Sequence, residues 1–228
     1  MSRGLGDVYK RQVVVQDQSS CLAVKAAGIN EGDLVVDVCA APGGKTMYAA
    51  MLTGSEGHVI SRDLIDKKTE LIEENIERLG LSNVTVQVHD AREFDEELTG
   101  KADVVIADLP CSGLGIMGRK NDIKYHVSME SVKELAQLQR EILDTVCRYV
   151  KPGGTLVYST CTIDSIENDE NAVWFADTHD FSLCGIDDVV PEHGGERGFV
   201  TLHQGIDECD GFFISKFRAD SNNQIGQE

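Results

Sequence analysis

Two cysteines stand in settings that suit chemistry, within Pro110-Cys111-Ser112-Gly113 and Ser159-Thr160-Cys161-Thr162. Each follows a short apolar run, and reactive thiols need a polar, partly open environment of this kind. Three acids, Asp63, Asp90 and Asp108, stand at the ends of strand-like runs, Asp108 closing the run that Cys111 follows. A further run leads into Asp37-Val38-Cys39-Ala40-Ala41-Pro42-Gly43-Gly44-Lys45-Thr46. Its two glycines let backbone approach a ligand closely, and the free N–H groups of a following helix favour an anionic or polar partner. That chemistry suits a nucleotide-type cofactor. It is not a P-loop, which needs glycine where Cys39 stands, and the Gly-x-Gly-x-x-Gly dinucleotide fingerprint is absent.

The elements that must position these residues follow from periodicity. Leu34 to Val36 and Ala102 to Ala107 are apolar runs of the kind buried parallel strands show. His58 to Asp63, the alternating Val84, Val86 and Val88, and Thr155 to Ser159 supply three more strands. Late strands are expected over 181–186 and 211–217, and a short edge strand over 13–15. Between them, helices are expected from Asp17 or Ser19 to Ala27, after the Gly-Gly turn, over 66–79, over 131–150 and over 168–178. Gly28, Gly80 and Lys151-Pro152-Gly153-Gly154 are read as helix stops. Strands alternating with helices predict a doubly wound parallel α/β sheet, in which ligands lie at the carboxyl ends of strands. A carboxylate at one strand end can be a helix cap, but several in succession are hard to assign to capping.

The totals bound the function. A chain of 228 residues suffices for one substantial domain. Residues 1–12 read as a leader outside the fold, 13–218 as the catalytic domain and 219–228 as a disordered tail. No apolar stretch approaches the ~18 residues of a membrane span, and no signal peptide is visible, which points to the cytoplasm. The seven cysteines are widely spaced, with no Cys-x-x-Cys pair and no zinc pattern. Reduced thiols and no metal are expected. Cys21, Cys147, Cys184 and Cys209 read as small core hydrophobes. The net charge of −18 is awkward for a nucleic-acid protein unless a basic surface is local or lies elsewhere. Arg119, Lys120 and Lys124, in a glycine-containing loop over 114–127, offer such a surface.

Three of these segments together carry a resemblance. Asp37 to Thr46, Asp108-Leu109-Pro110-Cys111-Ser112-Gly113 and Ser159-Thr160-Cys161 resemble the motifs of the RNA 5-methylcytosine methyltransferases, the RsmB/NOP2/Sun family. Similarity extends from Val15-Gln16-Asp17-Gln18-Ser19-Ser20 to Asp210-Gly211-Phe212-Phe213. Asp122-Ile123-Lys124-Tyr125 and Glu134 to Gln139 look most like the bacterial branch that modifies 16S rRNA. Gly118 and Asn121 depart from it, since related sequences often carry Arg and Pro there.

The resemblance implies a class I, Rossmann-like three-layer sandwich with a mostly parallel seven-stranded sheet and a late antiparallel strand. It implies S-adenosylmethionine as cofactor, RNA as partner and a monomeric enzyme. Cys39, Ala40, Ala41, Pro42, Gly43, Gly44 and Lys45 would wrap its methionine and ribose side. Asp63 would bind the ribose hydroxyls, Asp90 would lie near the adenine and Asp108 near the reacting centre. Cys161 would be the nucleophile and Cys111 the assistant in adduct breakdown. A tRNA-directed member of the family and a non-catalytic RNA-binding scaffold are the competing readings. A DNA cytosine methyltransferase would instead use the Pro-Cys thiol.

Overall fold

Short apolar runs alternating with longer amphipathic segments give three layers, α/β/α, in the computed structural model of the chain, which describes residues 15–191 and 197–221. The expected leader, Val13, Val14 and the expected tail beyond Ser221 lie outside the described residues. Among the described residues the strands are β1 (Leu34–Asp37), β2 (His58–Asp63), β3 (Val84–Val88), β4 (Ala102–Asp108), β5 (Val150–Thr160), β6 (Phe181–Leu183), β7 (Phe199–Leu202) and β8 (Phe212–Ala219). They form one sheet in the order β3-β2-β1-β4-β5-β8-β6, with β7 beside β8. Strands β1 to β5 pair in parallel. β8 runs antiparallel to β5, and β6 and β7 share its other edge, also antiparallel.

The helices are α1 (Gln18–Ala27), α2 (Gly44–Thr53), α3 (Asp66–Leu79), α4 (Ile123–His126), α5 (Met129–Val146) and α6 (Asp169–Thr178). Side chains alternate across each strand. Val35, Val59, Val104 and Ile106 therefore pack with Ala23, Val24, Ala49 and Ala50 of α1 and α2. Val36, Val105, Leu156 and Tyr158 face the other way, onto Leu143 and Val146 of α5 and Phe175 of α6. Strand order reverses at β1, which has β2 on one side and β4 on the other. A crevice opens at the carboxyl ends of strands at such a switch point.

Some expectations need correcting. The sheet has an eighth strand, β7, beyond the seven anticipated. The expected strand over 181–186 ends at Leu183, β8 continues through the buried Ala219 into the expected tail, and Val15 belongs to no strand. The 131–150 helix ends at Val146 and gives way to a 3-10 turn, Cys147–Tyr149. The Lys-Pro-Gly-Gly segment is not a loop before β5 but lies inside it. Ala102 pairs with Val150 and Val104 with Thr155, so residues 151–154 bulge opposite Asp103 alone. Gly153 has φ 71, and a bulge is where a strand tolerates both that conformation and a proline. Residues 114–127 likewise contain a 3-10 turn, Leu114–Ile116, and the short α4.

Candidate active site

β4 and β5 are adjacent and parallel, with Asp108 opposite Ser159, so the segments leaving their ends are neighbours. One carries Cys111 and the other Cys161. The two sulfurs lie 3.2 Å apart. Both thiols line one cleft of about 420 Å³, together with Cys39, Ala41, Asp63, Asp90 and Asp108. Of the strand-end residues that sequence spacing singles out, Cys39, Asp63, Asp90, Asp108, Cys111 and Cys161 thus share a single cavity.

The two thiols are not equivalent. The hydrogen bond with Cys111 holds the Cys161 thiol below its ordinary range; burial and the Asp108 charge oppose this and Lys45 assists. The same bond pushes Cys111 well up, with burial and the charge of Glu167 adding to it. The two shifts run in opposite directions across one shared contact, as expected of two thiols that hold a proton between them. Burial also drives the Cys39 thiol up, reinforced by Asp37, Asp63 and Asp108. Of the four cysteines read as core, Cys147 is buried, whereas Cys21, Cys184 and Cys209 are only partly so.

Backbone packing fixes Cys161 from behind. Its carbonyl accepts from the Gly115 N–H at 3.0 Å, and the Gly115 carbonyl accepts from the Gly211 N–H at 3.0 Å. A Cβ at Gly115 would sit 2.0 Å from the Gly211 carbonyl oxygen. Backbone on both sides leaves no flexible atom to yield. Gly115→Ala is expected to cost about 3 kcal/mol of stability and to slow alkylation of Cys161. Denaturant unfolding with thiol mapping checks this, and an unchanged midpoint would refute the packing argument.

Asp108 is held on both oxygens. Lys45 donates to Oδ2 at 2.5 Å and Ser159 Oγ to Oδ1 at 2.8 Å. Lys45 is buried, touches Ser20 Oγ at 3.3 Å and has its ammonium 5.3 Å from the Phe212 ring centroid. It faces Asp108 and is not among the residues lining the cleft. Nor are Ala40, Pro42, Gly43 and Gly44; of the turn, Cys39 and Ala41 reach the cavity. The turn instead fits itself to the fold, since a Cβ at Gly43 would lie 3.2 Å from the Ile72 side chain of α3.

Asp63 and Asp90 do line the cleft. Asp63 accepts from the Ala41 N–H at 3.1 Å and the Ile65 N–H at 3.3 Å. Asp90 is clamped by Arg92, which donates from Nη2 at 2.6 Å and Nε at 3.1 Å. That hydrogen bonding holds the Asp90 carboxyl below its usual range. A carboxylate has about four lone-pair sites, so each acid can still accept from a ligand hydroxyl or amine. Leu64 and Ile65, exposed beside Asp63, form an apolar wall of the same cleft. Sequence reasoning passed over this wall, although an apolar pair directly after a strand-end acid was its signal. Apolar walls with ordered carboxylates at one end suit a nucleoside-bearing group.

Asp37 is a different kind of acid. It is fully buried and accepts from Thr46 Oγ1 at 2.7 Å, while Thr46 Oγ1 contacts Ser61 Oγ at 2.8 Å, tying β1 to α2 and β2. Burial pushes its pKa up to about 7 from an ordinary 3.8, against the Thr46 hydrogen bond. A carboxyl raised in the folded state stabilises the fold while protonated. That contribution is complete below the unfolded value and is lost as pH rises through the folded one. The loss amounts to roughly 4 kcal/mol. Asp37→Asn should remove it, so stability relative to the wild type rises between about pH 4 and pH 7. Urea unfolding across that window checks the slope, and parallel curves for the two proteins would contradict it.

The three expected RNA contacts separate. Arg119 is exposed but donates to Asp17 at 2.6 Å and pairs with Asp210 at 3.0 Å, joining α1 to the start of β8. Lys120 is exposed, as is Lys124, whose ammonium lies 5.0 Å from the Tyr125 ring centroid. Among the described residues no helix is long and apolar enough to cross a membrane, and no cluster of three or more His, Cys, Asp or Glu could hold a metal.

Comparison with known proteins bears on the same residues. The profile of a family described as 16S rRNA methyltransferase RsmB/F matches residues 25–218. The chain is 42% identical over 216 residues to the probable ribosomal RNA small subunit methyltransferase B of Bacillus subtilis, covering 91% of this chain and 48% of that protein. It is 35% identical over 211 residues to ribosomal RNA small subunit methyltransferase F of Escherichia coli, covering 90% of this chain and 44% of that protein. The chain thus spans about half the length of the curated relatives it matches. Among solved structures, NSun6 from Pyrococcus horikoshii with SFG superposes with a TM-score of 0.80 at 29% identity, over 96% of this chain and 56% of that one.

Proposed function

The chain belongs to the 16S rRNA methyltransferase RsmB/F family, and we propose on that premise that it is the catalytic domain of an RNA cytosine-C5 methyltransferase that uses S-adenosylmethionine and acts on 16S rRNA. Its fold is the Rossmann-like α/β sandwich of S-adenosylmethionine-dependent methyltransferases. The observation that carries the reading is the pair of sulfurs 3.2 Å apart at the ends of β4 and β5, opening on the cleft that Asp63 and Asp90 share. SFG, present in the NSun6 structure, is an analogue of S-adenosylmethionine.

The chemistry accounts for two thiols. Carbon 5 of cytosine is a weak nucleophile. Addition of the Cys161 thiolate to carbon 6 makes the ring an enamine and carbon 5 electron-rich. S-adenosylmethionine, when bound, supplies an electrophilic methyl group; Asp63 would hold its ribose, Asp90 its adenine, and Cys39 and Ala41 its flank. Asp108, fixed by Lys45 and Ser159, can accept from the cytosine amino edge. When the carbon 5 proton passes to solvent water, its electron pair re-forms the ring double bond and the bond from carbon 6 to Cys161 breaks, returning the sulfur as a thiolate. Cys111, protonated and 3.2 Å away, donates a hydrogen bond to the departing thiolate. The base must be single-stranded or flipped to reach the sulfurs. Lys120 and Lys124 offer exposed cations for phosphates, while Arg119 holds the loop that carries them. A monomer working in the cytoplasm fits this reading.

The test is bisulfite mapping of 16S rRNA from cells with and without the intact gene, paired with calorimetric titration of the chain with S-adenosylmethionine. A cytosine that loses protection on deletion, with cofactor binding by the chain, supports the assignment. No cofactor binding, together with an alkylation-resistant Cys161, would favour the scaffold reading.

A further inference from the structure

Beneath the Cys111 segment lies a buried acid that the reaction as described does not use. Glu167 is 0% exposed. Its Oε2 accepts from the Ser112 N–H at 2.9 Å and from Gln139 Nε2 at 3.0 Å. Gln139, fully buried on α5, also donates to the Pro110 carbonyl at 2.8 Å, and its Oε1 accepts from Tyr158 Oη at 3.0 Å and Asn171 Nδ2 at 2.9 Å. The residues on either side of Cys111 are therefore both tied to one buried network. Ser112 Oγ adds a 2.8 Å contact to Thr162 Oγ1, which binds the Cys111 segment to the Cys161 segment.

Charge is distributed unevenly around the two sulfurs. On the Cys161 side, Asp108 and Lys45 face each other at 2.5 Å and largely cancel. On the Cys111 side the groups are Glu167 and the buried Tyr158, with Arg140 of α5 turned to Asn171 Oδ1 at 2.7 Å. Glu167 forms no salt bridge among the described residues, and its Oε1 makes no hydrogen bond there. Both of its partners are donors, and no cation among the described residues pairs with it.

We propose that Glu167 is a positioning residue that gives the two thiols their unequal roles. It fixes the backbone around Cys111, and its charge keeps the shared proton on Cys111 Sγ and the free electron pair on Cys161 Sγ. This rests on the reading of Cys161 as nucleophile, yet it can fail separately. Sequence pattern alone could not single it out, because Ile166-Glu167-Asn168-Asp169-Glu170 reads as an acidic helix start.

The experiment is competitive alkylation of the folded chain with iodoacetamide between pH 6 and pH 9 (no RNA or cofactor is needed), with modification at each cysteine quantified by peptide mass spectrometry. In the wild type Cys161 should react first. Glu167→Gln, which keeps size and an acceptor for Ser112 but removes the charge, should shift the Cys161-to-Cys111 ratio toward Cys111 by about tenfold, the equivalent of one pKa unit. Gln139→Met breaks the ties to Pro110, Glu167, Tyr158 and Asn171 while leaving the Glu167 carboxyl in place, and should preserve the Cys161 preference. An unchanged ratio in Glu167→Gln, or loss of the preference in Gln139→Met, overturns the role of Glu167 while leaving Cys161 as nucleophile. Faster reaction at Cys111 in the wild type would instead overturn the nucleophile assignment itself. Should Glu167→Gln not fold, the Gln139→Met result decides between charge and loop geometry.

Discussion

Cys161→Ser is expected to abolish methyl transfer, by at least about 10⁴-fold, whereas Cys111→Ser is expected to accumulate a covalent protein–RNA complex. The asymmetry follows from the site. A serine hydroxyl at 161 has no accessible anion near neutral pH, so carbon 6 is not attacked and carbon 5 stays inert. At 111 a serine still offers a donor to Cys161, and the adduct can form. An alcohol is a poorer partner for a departing thiolate held at 3.2 Å in a geometry set for sulfur, so release becomes the slow step. The two variants should therefore separate on a denaturing gel after incubation with S-adenosylmethionine and unmodified 16S rRNA. The wild type gives product, the 161 variant neither product nor adduct, and the 111 variant adduct with little product. Adduct in the 161 variant and none in the 111 variant would reverse the assignment.

The meeting of the two cysteines is legible in the sequence because it depends on strand ends. Apolar runs such as Leu34–Val36 and Ala102–Ala107 are of the kind buried parallel strands show, and a parallel sheet brings all its carboxyl ends to one side. Residues as distant as Cys39, Asp63, Asp90, Cys111 and Cys161 then had one place to meet, and they line one cleft. Parallel pairing of β4 with β5 does the rest, since the Asp108–Ser159 register carries the residues that follow both strands to the same point.

What could not be read has physical causes as well. The signals at Pro152 and Gly153 are genuine turn signals, but a bulge uses the same residues, and the partner strand needed to tell them apart is forty-eight positions away from Lys151 at Asp103. Strand β7 is four residues long and exists by pairing with β8, so tertiary context and not local pattern makes it a strand. The resemblance implies that Cys39 to Lys45 wrap the cofactor; in the fold Cys39 and Ala41 line the cleft beside Val38, while Gly43 packs against Ile72 of α3 and Gly44 begins α2. Composition gave no sign of where the charges face. Arg119, a cation in a basic loop, is spent on Asp17 and Asp210.

Lys45 offers the sharpest contrast between motif and geometry. In a Gly-Gly-Lys-Thr segment a lysine suggests a contact to the cofactor, yet its ammonium is 2.5 Å from Asp108. Lys45→Met keeps the aliphatic stem that packs beside Phe212 and deletes the charge. Asp108 then keeps its Ser159 hydrogen bond but loses its counter-ion, and an uncancelled negative charge is left beside Cys161. That charge disfavours the thiolate and the negative end of adduct formation. Adduct formation with RNA is expected to slow by about 100-fold, roughly two pKa units' worth of lost stabilisation. S-adenosylmethionine affinity is expected to change by less than about threefold, because the ammonium is engaged by Asp108 and Ser20. The fold should lose about 2 kcal/mol, below the 3–5 typical for breaking a fully buried pair because the Asp108 side chain is 27% exposed and partly screened. Calorimetric titration alongside single-turnover kinetics separates the two roles. A large fall in cofactor affinity with normal adduct formation would return Lys45 to the cofactor site, and a pH–rate profile shifted to higher pH would place it with the nucleophile.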